Sequence, residues 1–361
     1  MMSAPKIKSI LLIGFDSNIG LGVIFCLKSY NYDLYLLTHN LKNAARHSKF
    51  VKNTFFYNDE KDDLSDFAVS IVSKYNIDFI LPYDELETRK IHEKEAVLNK
   101  IVKLSIATDP EYFNIGIHKL RLAQFLTANK IPCPSFATFD NKTQINKLID
   151  EFGFPLLVKP VRQSAGRMIQ KLHDWNSLNI FFEKLNCNQE DFIIQPFIVG
   201  SDITCNVICK DGQILCHTIQ ESPVKVGSNF STNDILEFHN DDEVISIVSS
   251  MMKLLHWNGV ACVDLRRSVI NNSINVLEIN GRFWASVVSS FTKAGLNFPL
   301  ILLKTSLGEP IEIEKQKSAI QVSLKKYVDL KLQMKPITFH DTKYESYFSD
   351  PLARIMQILK L

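Results

Sequence analysis

The chain begins with two short apolar runs separated by a longer, mostly apolar stretch. Residues 10–13 form the first run, which ends at Gly14, and residues 34–38 form the second. Runs of this length predict strands that are buried on both faces, and the stretch that ends near Leu27 predicts a helix between them. This pattern predicts a β-α-β unit at the start of an α/β domain.

Further elements extend this domain. A helix is predicted over about 63–74 and a strand over 78–81, and the domain is expected to end near residue 112. Asp84 and Glu85 follow the strand directly. Ligands bind at the carboxyl ends of strands in open α/β sheets, so Glu85 is a candidate substrate contact. Capping of the next helix by these acidic residues is the other explanation.

The glycines after the first strand do not form a dinucleotide fingerprint. Gly14, Gly20 and Gly22 differ from the spacing G-x-G-x-x-G, and the second strand is followed by His39 rather than by an acidic residue. An acidic residue at that point would hold the ribose of a dinucleotide. Nicotinamide or flavin binding is therefore disfavoured.

The pattern changes after a helix that is predicted over 115–129. Pro132 and Pro134 exclude further helix there, and strands are predicted near 155–161 and 192–197. The prolines also force an extended backbone into the next region. A new domain is therefore expected to follow the first one.

A hairpin signal dominates the middle of the chain. Asp211 and Gly212 separate apolar runs at 202–210 and 213–220, and this pair is typical of a two-residue hairpin turn. A helix over about 241–257 follows, with apolar residues at helical spacing. This part of the chain is therefore predicted to be α+β, with antiparallel strands.

Composition agrees with a compact protein that has no electrostatic footprint for nucleic acid. Hydrophobic residues make up 46% of the chain, and 41 basic against 39 acidic side chains give a net charge of +2. Disordered chains have few apolar residues, and nucleic-acid-binding domains carry basic patches. The N-terminus lacks a signal-peptide pattern, and no apolar run reaches transmembrane length. A cytoplasmic protein without nucleic-acid or membrane partners is expected.

The seven cysteines are scattered and lie mostly in apolar runs, which is typical of reduced thiols in a cytosolic protein. Cys205, Cys209, Cys216 and His217 raise the alternative of a metal site. On predicted strands, however, small buried thiols explain these cysteines better.

The most informative stretch is 259–282, which reads as two strands around a polar turn. Asp264 and Glu278 are equally far from residue 271 in that turn, so we expect them to lie opposite each other. Side chains two residues apart on a strand share a face, which places Asn280 beside Glu278. The sequence therefore predicts one polar cluster of Asp264, Glu278 and Asn280.

This cluster is a candidate metal site. Two carboxylates directly across a strand pair destabilise the sheet unless a positive charge lies between them. Mg²⁺ takes one or two carboxylates and leaves its other positions to water and nucleotide phosphates, and Mn²⁺ would also fit such ligands. The alternative is a carboxylate couple that is paired with Arg266 or Arg282.

A lysine in a buried strand indicates an anionic partner nearby. Lys159 lies in the apolar strand 156–160, and a buried ammonium needs a negative charge. Ser164, Ala165 and Gly166 follow it, and the backbone N–H groups of such small residues can close over phosphates. The loop does not match G-x-x-x-x-G-K-[ST], so it is not a P-loop.

In their order along the chain, these motifs resemble the ATP-grasp superfamily, in its carboxylate-amine ligase and carbamoyl-phosphate-synthase-like branch. The resemblance covers essentially the whole chain. It implies a Rossmann-like α/β pre-ATP-grasp domain at 1–112, an α+β ATP-grasp fold at 113–308 and a C-terminal segment at 309–361. The fold would have a smaller lobe at about 134–197 and a larger lobe at about 198–308. The residues that carry the resemblance are Lys119, Pro132, Pro134, Val158 to Pro160, Gln195 to Asp202, Asp264 and Glu278 to Arg282.

The resemblance also implies roles for individual residues. Lys119 and Lys159 would contact the nucleotide phosphates, Asp202 would bind the ribose, and the carboxylate cluster would hold Mg²⁺. Arg282 would face the transferred phosphoryl group, whose charge metal and arginine stabilise. The hinge strand that would recognise adenine consists of Gln195, Pro196, Phe197 and Ile198.

The chain departs from the family pattern at several positions. Gln195 stands where members usually carry Glu, Asp202 replaces a common Glu, and the usual Asn-Pro-Arg reads Asn-Gly-Arg. None of these changes removes a charge that the mechanism requires. Cys262 stands where the dipeptide-ligase branch has an arginine. Arg266 or Arg282 would therefore stabilise the reaction intermediate instead.

The resemblance implies an enzyme that uses ATP and Mg²⁺ to activate a carboxylate as an acyl phosphate and joins it to an amine. ADP and phosphate would be released as the amide or peptide bond forms. A bicarbonate-activating enzyme is the first alternative, although the chain has one ATP-grasp copy and no glutaminase-like half. A non-catalytic ATP-binding sensor, or a subunit of a larger synthetase, is the second.

The residues that recognise the substrate are expected in two loops. Lys225 is either a contact to a phosphate or carboxylate or a solvated loop lysine, and Trp284 either walls the pocket or packs in the core. The partners would be a small carboxylate and an amine, for which amino acids or a peptide are suitable. A homo-oligomer is compatible with the sequence.

Overall fold

The computed structural model describes residues 7–139, 141–162, 169–184, 192–222 and 234–359, which form one parallel and two antiparallel sheets with flanking helices. The strands are β1 (Ser9–Ile13), β2 (Asp33–Thr38), β3 (Val51–Phe56), β4 (Phe79–Pro82), β5 (Lys103–Leu104), β6 (Ala137–Thr138), β7 (Leu156–Pro160), β8 (Gln170–Leu172), β9 (Phe192–Pro196), β10 (Gly200–Lys210), β11 (Gln213–Ser222), β12 (Ile235–Phe238), β13 (Gly259–Ser268), β14 (Ile274–Asn280) and β15 (Ala319–Val322).

The helices surround these sheets and connect many of their strands. They are α1 (Ser17–Leu27), α2 (Leu64–Tyr75), α3 (Glu85–His92), α4 (Glu95–Leu98), α5 (Pro110–Gly116), α6 (Lys119–Ala128), α7 (Lys142–Phe152), α8 (Trp175–Lys184), α9 (Asp242–Leu254), α10 (Val287–Thr292), α11 (Phe298–Leu307), α12 (Leu324–Leu332), α13 (Tyr344–Ser349) and α14 (Pro351–Leu359). Short 3₁₀ helices lie at Ala44–His47 and Phe339–Asp341.

The parallel sheet has the order β3-β2-β1-β4-β5, with β1 at its centre. Ile10 and Leu12 pack into the apolar cluster on one face, and Leu11 and Ile13 pack into the cluster on the other. Because helices cover both faces, the side chains from Ile10 to Ile13 must all be apolar, which explains the continuous run. The α/β fold predicted for the start of the chain is confirmed.

The glycines after β1 make room for a buried tyrosine. A Cβ atom on Gly14 would lie 2.3 Å from the Tyr83 ring, and one on Gly20 would lie 2.9 Å from the Tyr83 hydroxyl. Tyr83 is fully buried, and its hydroxyl donates a hydrogen bond of 2.7 Å to the Gly14 carbonyl. These glycines therefore have a packing role that is independent of any nucleotide.

The smaller antiparallel sheet has the order β6-β9-β7-β8, and its strands alternate between a core face and a cleft face. Leu156, Val158 and Ile194 pack together in one apolar cluster. Lys159 and Gln195 lie on the opposite face, where Lys159 lines a cleft. The strand therefore buries its aliphatic half and presents its lysine to the neighbouring lobe.

The larger antiparallel sheet has the order β14-β13-β10-β11-β12-β15. β10 and β11 join through Asp211 and Gly212, whose φ angles of 51° and 75° lie in the left-handed region that a tight hairpin turn requires. Asp264 on β13 lies opposite Glu278 on β14, as the sequence predicted. The register shifts after Asp264, which is the mark of a β-bulge.

The single helix predicted over 115–129 is wrong. α5 ends at Gly116 and α6 starts at Lys119, because His118 adopts an extended conformation and accepts a hydrogen bond from the Arg121 backbone N–H (3.4 Å). Gly116 lies against Trp257, and a Cβ atom there would come within 2.6 Å of the indole ring. The break redirects the chain, so that Lys119 begins a helix of its own.

The other helix and domain limits also differ in detail. α9 ends at Leu254 rather than near residue 257, and His256 beyond it has a φ of 45°, which stops the helix. The expected domain limit at residue 112 falls inside α5. The division into domains stays a prediction.

The C-terminal segment is attached to both halves of the molecule. β15 pairs antiparallel with β12 and forms the edge of the larger sheet. α14 packs against the 3₁₀ helix Ala44–His47, and Gln357 donates a hydrogen bond of 3.4 Å to Asn18. Across the described ranges, no helix is long and apolar enough to cross a lipid bilayer.

Asp84, after the end of β4, is hydrogen-bonded to the loop after β1. Its Oδ2 atom accepts hydrogen bonds from the backbone N–H groups of Phe15 and Asp16, both 2.8 Å long. It makes no capping hydrogen bond to α3, so helix capping does not explain this residue. Burial, reinforced by Glu87, raises the pKa of Asp84 to about 7.

We expect Asp84→Asn to reduce the pH dependence of stability. An acid whose pKa is raised by folding stabilises the fold at low pH, and this contribution is lost as the pH rises from about 4 to 7. The variant keeps an amide oxygen for both backbone hydrogen bonds and carries no charge. As the pH rises from roughly 5 to 8, the unfolding free energy of the wild type should therefore fall by ~1 to 3 kcal/mol more than that of the variant.

Urea unfolding of the wild type and of Asp84→Asn at roughly pH 5 and pH 8 measures this difference in unfolding free energy. Asp66→Asn is the matched control, because Asp66 lies on the surface of the same domain. An identical pH dependence in Asp84→Asn and the wild type would contradict the assignment.

Candidate active site

A cleft of about 520 Å³ lies between the smaller and the larger antiparallel sheet. Its walls come from β7 and β9 on one side and from β10, β11, β13 and β14 on the other. Most of the charged residues that the sequence singled out share this cleft. They are Lys159, Asp202, Asp264, Arg266, Glu278 and Arg282.

The centre of the cleft is the predicted carboxylate cluster. Asp264 accepts hydrogen bonds from Thr204 (3.0 Å) and from the Asn280 side-chain amide (3.2 Å). The same amide lies 3.5 Å from Glu278 Oε1. Asp264, Glu278 and Asn280 therefore lie on one face of the sheet, as predicted. Thr204, on the neighbouring strand β10, was missed by the sequence reasoning.

Burial and mutual repulsion separate the protonation states of the two carboxylates. Burial and the nearby Glu278 raise the pKa of Asp264 above its ordinary value. Burial opposes ionisation of Glu278 too, but Lys119 and Lys159 outweigh it and hold the pKa of Glu278 below its ordinary value. Two buried carboxylates that favour a single proton between them form a site where a cation can replace that proton.

The ligand set fits a hard divalent cation that a nucleotide also binds. Two carboxylates are suitable for Mg²⁺, which leaves its other positions to water and phosphate oxygens. The Asn280 side chain, whose NH₂ group donates to Asp264, would offer its oxygen to the ion after a flip of the amide. In the part of the chain that the structure covers, no group of three or more His, Cys, Asp or Glu side chains is arranged to hold a metal by itself.

Lys119 is the cation that pairs with the cluster. Its Nζ atom lies 2.8 Å from Glu278 Oε2, and its backbone N–H donates to the Val161 carbonyl (2.9 Å). The second contact fixes the start of α6 to the end of β7. The sequence offered Arg266 or Arg282 as the alternative partner, and the structure places Lys119 in that position.

Lys159 is a second buried cation, on the opposite wall. It is 6% exposed, and its Nζ atom donates a hydrogen bond of 2.9 Å to Gln195 Oε1. Burial lowers the pKa of Lys159 to about 8, although Glu278 acts in the opposite direction. Because Gln195 is neutral, the ammonium is not neutralised by its hydrogen-bond partner.

Asp202 and Arg266 form an ion pair at the hinge end of the cleft. They lie opposite each other on β10 and β13, with a contact of 2.5 Å between the carboxylate and the guanidinium. Arg266 also lies over the Phe197 ring, 5.1 Å from its centre, and Lys171 lies 3.8 Å from the same centre. Lys171 was missed because nothing in the sequence indicates this cation–π contact.

Arg282 lies beside the carboxylate cluster rather than at the hinge. Its guanidinium donates to the Phe283 carbonyl (2.8 Å) and lies 3.5 Å from the Asn280 side-chain oxygen. Arg282 also counteracts the raised pKa of Asp264. Of the two arginines that the sequence proposed for the reacting group, Arg282 therefore lies closer to the cluster.

The structure describes two of the three substrate candidates, Glu85 and Trp284. Glu85 is half-buried and accepts a hydrogen bond from the Gly281 backbone N–H (3.1 Å), so it supports the segment next to the cluster. Trp284 lines the cleft and also packs at 4.6 Å, edge to face, on Phe298. Lys225 lies outside the described residues, as do Ser164, Ala165 and Gly166 of the predicted phosphate loop.

The cysteine prediction agrees with the structure. Cys205, Cys209 and Cys216 are free and buried on β10 and β11, and burial raises the pKa of each thiol well above its ordinary value. Thiols that resist ionisation are poor metal ligands. The buried-thiol explanation accounts for them.

Residues 117–286 match the family model of the ATP-grasp domain. By this match, residues 117–286 form an ATP-grasp domain. All the cleft residues discussed above, from Lys119 to Trp284, lie inside the matched segment. The ATP-grasp fold with an α/β domain before it, which the sequence predicted, is confirmed.

Curated relatives show the same relationship at low identity. The chain is 24% identical over 226 residues to the carbamoyl phosphate synthase large chain of Methanoregula boonei, covering 61% of this chain and 22% of that protein. It is 23% identical over 174 residues to the D-alanine–D-alanine ligase of Neisseria meningitidis, covering 46% of this chain and 57% of that protein. The chain thus spans between about a fifth and somewhat more than half of these relatives.

Solved structures show the shared fold over most of the chain. The biotin carboxylase domain of the 2-oxoglutarate carboxylase from Hydrogenobacter thermophilus has a TM-score of 0.69 at 14% identity, covering 88% of this chain and 73% of that chain. The L-amino acid ligase from Bacillus licheniformis has a TM-score of 0.64 at 16% identity, covering 85% and 76%. At such identities the likeness establishes the fold alone.

We expect ADP affinity to fall as the pH rises through about 8. Lys159 is charged below its pKa, and phosphates bind the charged form, so deprotonation weakens binding. Gln195→Glu places a carboxylate beside the ammonium and should move this decline to higher pH. Lys159→Met should remove the decline and weaken binding by roughly tenfold or more.

Calorimetric titration of ADP with Mg²⁺ between roughly pH 6 and 10 tests this expectation. Lys147→Met, which changes an exposed lysine, is the control. A decline at the same pH in wild type and Gln195→Glu would show that another group controls binding.

We also expect Mg²⁺ to stabilise the nucleotide complex through the carboxylate cluster. Adding Mg²⁺ to the wild type with ADP should raise the unfolding temperature by several degrees, because a ligand of the folded state stabilises it. Asp264→Asn and Glu278→Gln should lose this increment. The metal-free form of Asp264→Asn should be at least as stable as the wild type, because it removes one of two repelling charges, whereas Glu278→Gln should be less stable, because Lys119 loses its carboxylate partner.

Thermal unfolding with and without Mg²⁺ measures the increment. Glu237→Gln is the matched control, because Glu237 is an exposed carboxylate on β12 of the same sheet. Full retention of the Mg²⁺ increment in both cluster variants would exclude the cluster as the metal site.

Proposed function

We propose that the chain is an ATP-dependent ligase that activates a carboxylate as an acyl phosphate and joins it to an amine. The observation that carries the proposal is the convergence of two partly buried carboxylates, Asp264 and Glu278, with the cations Lys159 and Arg282 in one cleft of an ATP-grasp domain. Lys119 pairs with Glu278 at the same point. Phosphoryl transfer requires mainly positioning and charge stabilisation, and these groups supply both.

The metal would be held by Asp264, Glu278 and the Asn280 oxygen. When bound, Mg²⁺, or Mn²⁺ in its place, would neutralise charge on the nucleotide phosphates. The Lys119 ammonium, 2.8 Å from Glu278, would contact the phosphates of a nucleotide whose metal is bound by this carboxylate.

The nucleotide would lie along the hinge strand. Gln195, Pro196, Phe197 and Ile198 would form the adenine contacts, and Lys159 would bind phosphate oxygens. Asp202 already holds Arg266 through Oδ1, which leaves Oδ2 for the ribose hydroxyls. The small residues 164–166 complete the expected phosphate contacts.

The reaction would proceed in two balanced steps. A substrate carboxylate oxygen attacks the γ-phosphorus, the bond to the β,γ-bridging oxygen breaks, and ADP leaves with that electron pair. The amine then attacks the acyl carbon, loses a proton, and inorganic phosphate leaves as the amide forms. Arg282, beside the cluster, would stabilise charge on the transferred phosphoryl group. Arg266, held by Asp202, would position the hinge.

The choice of an amine acceptor draws support from the relatives. By their names, the D-alanine–D-alanine ligase and the L-amino acid ligase act on amino acids. The Hydrogenobacter structure contains bicarbonate with ADP and Mg²⁺, which keeps carboxyphosphate chemistry as the second candidate. The substrates are proposed to be a small carboxylate and an amine, in the cytoplasm.

The test is ADP release in the presence of Mg²⁺, with pooled amino acids and small carboxylic acids as substrates. We expect ADP only when both an acid and an amine are present, together with a product mass equal to their condensation. Glu278→Gln should reduce the rate by roughly a hundredfold or more, because a metal ligand is lost. Glu237→Gln should leave the rate unchanged.

Other outcomes distinguish the alternatives. ADP release that requires bicarbonate would replace the amide-forming proposal with carboxyphosphate chemistry. Tight ATP binding without turnover in any pool, including one made from cell extract metabolites, would favour a sensor or a synthetase subunit.

A further inference from the structure

One part of the cleft wall comes from the C-terminal segment. Lys343, two residues after the 3₁₀ helix Phe339–Asp341, lines the same cleft as Asp264 and Arg282. Nothing in the sequence indicated this lysine, because it lies outside the segment that matches the ATP-grasp domain. The cleft therefore contains a cation that the ATP-grasp fold itself does not contribute.

Lys343 has no anionic partner in the described part of the chain. Its ammonium takes part in no ion pair or hydrogen bond there, and the charged group that acts on it is Arg354, a second cation. Burial lowers the pKa of Lys343 to about 8. A half-buried ammonium that lines the cleft and has no anionic partner among the described residues can bind an external anion.

Part of the lining of the cleft that contains Lys343 is polar but neutral. Ser222, Gln220 and Ser286 line the same cleft, and Ser286 donates a hydrogen bond of 2.9 Å to Gln220. Trp284 adds an apolar surface beside them. Hydroxyl and amide groups next to one uncompensated cation are typical of a site for a small anion.

Lys343 is also separate from the groups that would handle the reacting carboxylate. Asp264 and Glu278 lie on β13 and β14, and Glu278 is paired with Lys119, whereas Lys343 reaches the cleft from the C-terminal segment, just before α13. The reacting carboxylate must lie near Arg282 and the carboxylate cluster. An anion at Lys343 therefore belongs to another group of a substrate.

We propose that Lys343 binds a second anionic group, a carboxylate or a phosphate, carried by one of the two co-substrates apart from its reacting atoms. The inference rests on the proposed ligase function and deepens it by narrowing the substrate class. An amino acid that accepts the acyl group through its amine would satisfy it with its own carboxylate. A phosphorylated acid or amine would satisfy it with its phosphate.

The first experiment needs no knowledge of the substrate. The full chain is saturated with Mg²⁺ and a non-hydrolysable ATP analogue, so that the triphosphate site is filled, and is then titrated with inorganic phosphate or with acetate. The wild type should bind one of these probes, and Lys343→Met should bind it roughly tenfold or more weakly. The preferred probe distinguishes a phosphate from a carboxylate substituent.

The control is Lys335→Met, which changes an exposed lysine of the same segment and should bind the probe like the wild type. Binding of the ATP analogue to all three proteins confirms that each is folded. Equal probe binding by wild type and Lys343→Met, or no binding by the wild type, would overturn the inference.

The second experiment uses turnover. With the acid and amine found by the ADP-release assay, Lys343→Met should raise KM for one co-substrate roughly tenfold, with kcat and the KM for ATP nearly unchanged. Lys343→Arg should restore most of the loss. A fall in kcat at unchanged KM would overturn the inference. If no pair supports turnover, the proposed function fails while the anion titration still decides the role of Lys343.

Discussion

The burial of two carboxylates opposite each other in an antiparallel strand pair is the constraint on which the rest of the cleft depends. Asp264 and Glu278 lie in register between aliphatic neighbours, and such a pair is costly unless each oxygen has a partner. Thr204 comes from the adjacent strand, Asn280 from the same strand as Glu278, and Lys119 from a helix. Each compensating group arrives from a different element, so the elements must meet at this point.

The need to bring Lys119 to Glu278 explains the break between α5 and α6. If one helix continued through residues 115–129, Lys119 would not stand at a helix start with its amide bonded to Val161. The break allows one residue to bind the larger lobe through its ammonium and the smaller lobe through its backbone. Lys119 thus joins the two walls of the cleft and also neutralises Glu278, the carboxylate of the pair that ionises more readily.

The sequence predicted the parts of the structure that local rules determine. The continuous apolar run of β1, the turn at Asp211 and Gly212, and the equal spacing of Asp264 and Glu278 around their turn each fix structure over a short range. Side chains brought together by packing of distant elements were not predictable in the same way. Thr204, Lys171 and Lys343 reach the site only through sheet order and the path of the C-terminal segment.

The pairing of β15 with β12 affects how the substrate specificity of the cleft can change in evolution. The segment that carries Lys343 also supplies the edge strand of the larger sheet and a helix against the N-terminal domain. Without β15, β12 would become the edge strand of that sheet. Point changes in the loop at Lys343 would therefore alter this wall of the cleft with less effect on the fold than replacement of the whole segment, which would also remove a strand.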